Sequence, residues 1–145
     1  MPLLLFNFLG PEMLILFVLA LMVIPFVFYL LSLRNTLRLL SPENQLMPPN
    51  NVWLLFIPIF GIIYHFIVVG KISDSIAREL EQRNLPSKET RPAYNIGLAM
   101  CILSVASVIP ILGGLASFAA LICWIIYWLK IEGYKGMLIR QTTVL

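Results

Sequence analysis

The chain's longest charge-free stretches decide what it can become. Between Val52 and Gly70 there is no Asp, Glu, Lys or Arg, and an apolar run of that length is about what a helix needs to cross hydrocarbon. Three more such runs lie at about 13–33, 93–112 and 115–129. Hydrophobic residues make up 60% of the chain and charged ones 12%, with a mean hydropathy of +0.93. A soluble domain carries about a quarter charged residues, so the main solvent here is lipid. The expectation is an all-α integral membrane protein, a single membrane domain over residues 1–145 with four apolar helices.

The formal net charge is +3, which in a soluble protein would raise the question of nucleic acid. Here the basic residues sit at the ends of apolar blocks, which reads as positive-inside topology beside anionic headgroups. The expected partners are the lipid bilayer and other membrane proteins, with no nucleic acid. Cys101 and Cys123 lie inside apolar runs without CxxC spacing, and they read as small packing residues. No basic residue precedes the first apolar block and no small-residue cleavage site follows it, so that block is expected to remain as a helix.

The first block opens at Gly10-Pro11-Glu12, where proline and an acidic residue suit a first helical turn. Pro25 predicts a kink, and Ser41-Pro42 ends the helix near Leu40. A loop follows over 41–51. The second block, 52–70, is expected to leave the membrane unbroken and extend into the cytoplasm as a charged helix over about 71–84. Ile72, Ile76 and Leu80 form its apolar stripe, and Asp74 to Arg78 and Glu79 to Arg83 are acid-before-base pairs. Pro92 starts the third block, which carries Ala93, Gly97, Cys101 and Ser104 on nearly one face. The fourth carries Ala116 and Ala120. Small residues at this spacing let helices approach closely in lipid, so helices three and four are expected as a tight antiparallel hairpin. Trp124, Tyr127 and Trp128 precede Lys130 as an interfacial belt. The stretch 130–145 reads as an amphipathic or frayed tail.

Two charge counts conflict. Four crossings put both termini and the 71–91 loop on one, cytoplasmic, side with eight basic residues, against Arg34 and Arg38 on the other. Helix one alone has no base before it and two after it, which votes the other way. The conflict vanishes if 53–65 is a re-entrant segment turning at Pro58 to Gly61, leaving three spanning helices and all ten basic residues inside. Non-helical backbone at that depth must be buried in protein or line a water-filled cavity.

No catalytic, cofactor-binding or metal-binding motif is found, and no cofactor is expected. His65, the single histidine, is an intramembrane candidate with Pro58 and Gly61; the alternative is an interfacial histidine about 9 Å along the helix from Lys71. Lys71, Asp74, Arg78, Glu79 and Arg83 (with Glu81) form either a partner-binding surface or a solvated helix face. The leading expectation is a small non-enzymatic accessory or structural subunit of a larger membrane complex. The alternative is a small transporter or channel-like homo-oligomer using Pro58 to His65.

Trp53-x-x-x-Ile57-Pro58-x-Phe60, then Tyr64-His65-Phe66, Ile72-x-Asp74-Ser75 and a charged helix resemble a group of small multi-spanning bacterial membrane proteins. Gly97 to Cys101 and Cys123 to Lys130 resemble that group's third and fourth helices. The similarity covers roughly 52–135, and the chain departs from the pattern at Gly61 and His65. It implies a bacterial plasma (inner) membrane location and no known activity.

Overall fold

A computed structural model describes Leu3 and residues 10–144. Among the described residues there is no strand. The helices are α1 (Pro11–Leu39), α2 (Pro58–Gln82), α3 (Tyr94–Ala106) and α4 (Gly113–Val144), with a 3-10 turn at Pro42–Asn44 and a 3-10 helix at Pro49–Phe56. By length and composition α1, α2 and α4 are apolar enough to cross a membrane, and α3 is a shorter apolar helix. The chain divides into two compact units, residues 1–31 and 32–145.

Most of α1 lies in the first unit. Glu12 sits in its first turn, as the dipole favours, and Pro25 lies inside the helix without ending it. Every side chain from Pro11 to Ile24 is exposed.

The second unit holds the last turns of α1 and everything after them. Its core comprises Leu33 and Leu37 of α1, Val68, Val69, Ile72, Ile76 and Leu80 of α2, Met100 and Cys101 of α3, and Tyr127, Ile131 and Leu138 of α4. The predicted stripe Ile72, Ile76 and Leu80 is thus wholly inside. Helices α3 and α4 pack on one another, and the small residues Ala93, Gly97, Cys101, Ala116 and Ala120 are all buried. Ser104 is half-buried and donates to the Met100 carbonyl at 2.8 Å.

Three expectations need correction. The block 52–70 is not one helix. Ile57 is extended (φ −73°, ψ 116°), the 3-10 helix ends before it, and α2 begins at Pro58. A residue preceding proline is pushed out of the α region, and proline itself suits the first helical position, so the chain breaks here rather than kinking. Next, the third block is helical only to Ala106. Its 13 residues rise about 20 Å, short of a hydrocarbon core of about 30 Å. Finally, of the amphipathic and frayed readings of the tail, the frayed one falls over the described residues: α4 runs without interruption to Val144, with Leu138 fully buried.

The 3-10 helix folds back along α2. Near the break, a Cβ on Gly61 would run into the carbonyl oxygen of Leu55. Further along, Leu46 N–H donates to Ser75 Oγ at 3.0 Å and Lys71 Nζ donates to the Leu46 carbonyl at 3.3 Å. Beyond that, Ser41 and Asn44 reach Glu79. Residues 41–56 therefore form an antiparallel hairpin with α2, and the sequence carries no Asp, Glu, Lys or Arg between Glu43 and Lys71, on either side of its turn at Ile57-Pro58.

Candidate functional site

The most heavily bonded side chain in the second unit is Glu79, which is fully buried. Its carboxylate accepts from Ser41 N–H at 2.9 Å, Ser41 Oγ at 3.1 Å, Asn44 Nδ2 at 2.6 Å and Arg83 Nε at 2.7 Å. Arg83 then donates to the Leu39 carbonyl at 3.3 Å and the Leu138 carbonyl at 3.5 Å. One acid–base pair thus fastens the ends of α1 and α2 to the last third of α4. Leu39 is the last residue of α1, and a terminal carbonyl needs an external donor because the helix supplies none. Asn44 also donates to Gln82 Oε1, and Gln82 Nε2 donates to Glu43 at 3.1 Å.

A second cluster pins the linker between α2 and α3. Glu89 pairs with Lys130, accepts from the Ala93 N–H at 2.7 Å and from Tyr134 Oη at 3.3 Å. The Lys130 ammonium, then the Ala93 amide, hold the Glu89 carboxyl below the usual carboxylate range despite partial desolvation. Ala93 is left-handed (φ 59°) at the start of α3, and its amide is the one that Glu89 fixes. Arg91 makes a two-pronged bond to Asp74, at 2.8 and 2.9 Å, and lies over the Tyr94 ring at 3.6 Å. Ser32 Oγ donates to Glu132, whose carboxylate also faces Lys135 Nζ at 3.3 Å.

These contacts place the residues singled out from the sequence. Asp74, Glu79 and Arg83 bond within the chain, Lys71 is exposed but donates to Leu46, and Arg78 is exposed with Glu81. Pro58 is exposed at the hairpin turn, Gly61 is buried beneath it and His65 is half-buried one turn further. The structure does not gather Pro58, Gly61 and His65 with the charged set: they occupy opposite ends of α2. Sequence reasoning missed Ser41, Asn44, Glu89 and Glu132. The legible signal for the first two was Ser41-Pro42-Glu43-Asn44, a run of residues that bond nearby backbone in turns.

An open groove of about 630 Å³ runs between Leu85-Pro86 and the α4 face of Glu132, Gly133, Gly136, Met137, Arg140 and Gln141. Among the described residues no group of three or more His, Cys, Asp or Glu is placed to hold a metal ion. Chemically, the two carboxylate clusters act as fasteners, each saturated by donors from a different element. Neither a protein-family model, nor a curated protein, nor a solved structure matches this chain.

Proposed function

We propose that this chain is a non-catalytic membrane subunit that works by lateral association with other membrane proteins. In this arrangement the 41–56 segment and α2 dip into the bilayer from the charged end and return to it, and α3 and α4 do the same. All ten basic residues then lie on one side, and α1 too obeys the positive-inside bias, with Arg34 and Arg38 following its apolar run.

One observation carries the proposal. The hairpin turn breaks helical backbone at Ile57, yet Leu54, Phe56, Ile57, Ile59 and Phe60 around it are exposed, Ile59 by 80%. Irregular backbone at hydrocarbon depth persists only when covered by protein or facing a water-filled cavity. Protein cover makes this chain one part of an assembly, and the exposed apolar turns from Met13 to Ile24 offer a further surface for it.

Gentle detergent extraction followed by mass spectrometry of whatever co-purifies is the test. Other membrane proteins at fixed stoichiometry are the expected result. Recovery of this chain alone as a monomer would overturn the proposal. A closed homo-oligomer would favour the second reading, a water-filled path beside Pro58, Gly61 and His65, which the same broken backbone supports.

A further inference from the structure

The segment 85–91, between α2 and α3, is held to the helices mainly by charge. Among the described residues, no backbone group from Pro86 to Thr90 bonds to other backbone. Apolar packing does not hold it either: Leu85 and Pro86 form one wall of the open groove, and a Cβ at Gly133 or Gly136 on the α4 side would meet nothing within 4 Å. What ties the segment down is two salt bridges, Glu89 to Lys130 on α4 and Arg91 to Asp74 on α2. Tyr134 Oη on Glu89 and the Tyr94 ring under Arg91 add one contact each. All four charged side chains are 33 to 42% exposed.

The ends of the segment are anchored in another way. Asn84 N–H and Leu85 N–H bond back to the Glu81 and Leu80 carbonyls, and Pro92 and Ala93 are buried. The neighbouring Glu79–Arg83 pair also differs in kind, since the Glu79 carboxylate is fully buried and is held by Ser41 and Asn44 as well. Raising salt shortens the screening length from about 10 Å at 0.1 M to about 3 Å at 1 M, which weakens exposed pairs and leaves buried ones nearly untouched. One change in ionic strength therefore acts on both ties of the segment and spares its anchors.

From this contrast we infer that residues 85–91 are an ionic-strength-sensitive strap, tied to α4 and α2 at low salt and released at high salt while the helices stay packed. Release takes away the Leu85-Pro86 wall and bares the groove face of α4. The device is independent of which protein covers the Ile57-Pro58 turn.

The test places the full chain in phosphatidylcholine nanodiscs and follows trypsin cleavage after Lys88 by mass spectrometry at 0.05 M and 1 M potassium chloride. Cleavage is expected to be roughly fivefold faster at high salt, the combined weight of two exposed pairs of ordinary strength. Cleavage after Arg78, exposed within α2, should stay slow at both. The double variant Asp74→Asn, Lys130→Gln cuts both ties from the helix side and leaves the strap's own sequence unchanged. It should be cut at the faster rate at either salt, with each single variant in between. No rise with salt in the unaltered chain would overturn the inference, as would an equal rise in the double variant, which would belong to the protease. A parallel rise after Arg78 would overturn it too, because the helices would then be opening with the strap.

Discussion

The Cβ that Gly97 lacks would lie 2.5 Å from Cγ1 of Val69. The Tyr127 ring edge would be 2.8 Å away, so this one position brings α2, α3 and α4 together. Two helices in lipid gain nothing from excluding water between them, and close backbone approach replaces that gain with dispersion contacts.

Gly97→Ala is therefore expected to lose about 1–3 kcal/mol, the usual cost of overpacking, despite alanine's better helix propensity. Thermal unfolding in detergent measures it. Gly114→Ala is the control, because nothing lies within 4 Å of a Cβ there. Equal melting temperatures for the two variants would refute the tight-packing account.

Gly61→Ala meets backbone instead of side chain. The obstacle is the Leu55 carbonyl, which cannot rotate away without moving the 3-10 helix. A loss of about 2 kcal/mol or more is expected, with faster amide exchange across Leu54–Phe56. Unchanged exchange there would show that the hairpin does not depend on this contact. Gly133→Ala and Gly136→Ala, where a Cβ meets open space, should instead be neutral or gain up to about 1 kcal/mol from helix propensity.

Much of this arrangement was legible in the sequence, and Pro58 and Glu79 show where legibility ended. Apolar blocks gave the all-helical class and the small-residue faces, because composition and spacing report directly on burial. Pro58 carries the same local signal whether it kinks a helix or starts one. The deciding facts, the fold-back of Pro49–Phe56 and the missing Cβ at Gly61, are tertiary. Glu79 and Arg83 have the spacing of a solvated ion pair, and they do form that pair. Its burial comes from the Ser41–Asn44 turn, 35 to 38 residues away in sequence, which no helical periodicity encodes. The stretch 130–145 left an amphipathic and a frayed reading open, and tertiary contacts decide between them: Leu138 in the core and Arg83 on its carbonyl hold the helix there.

Breaking the Glu79–Arg83 pair from either side should be costly, since each partner leaves buried donors or charge behind. Glu79→Ala is expected to lose about 3–5 kcal/mol and Arg83→Ala somewhat less, because Arg83 is 26% exposed while Glu79 is fully buried. Glu79→Gln keeps an acceptor for Ser41 and Asn44 and should fall between wild type and Glu79→Ala. Chemical denaturation in mild detergent gives the order. A Glu79→Gln variant as unstable as Glu79→Ala would mean that the negative charge, more than hydrogen-bond acceptance, holds the turn.

Glu89 supplies the pH dependence. Its folded-state carboxyl is held below its ordinary value, first by Lys130 and then by the Ala93 amide. The unfolded chain therefore takes up the proton first as pH falls. The stability this group contributes is complete above the ordinary glutamate range near pH 4.5 and disappears as pH drops through the lower folded value. Glu89→Gln should flatten that acidic limb while leaving the neutral-pH unfolding curve displaced downward, because the Lys130 contact and the fixed start of α3 are weakened at every pH. Melting temperatures of the two proteins between pH 3 and pH 7 provide the measurement. An acidic limb of identical slope in both would assign the dependence to another carboxylate and detach Glu89 from the linker's stability.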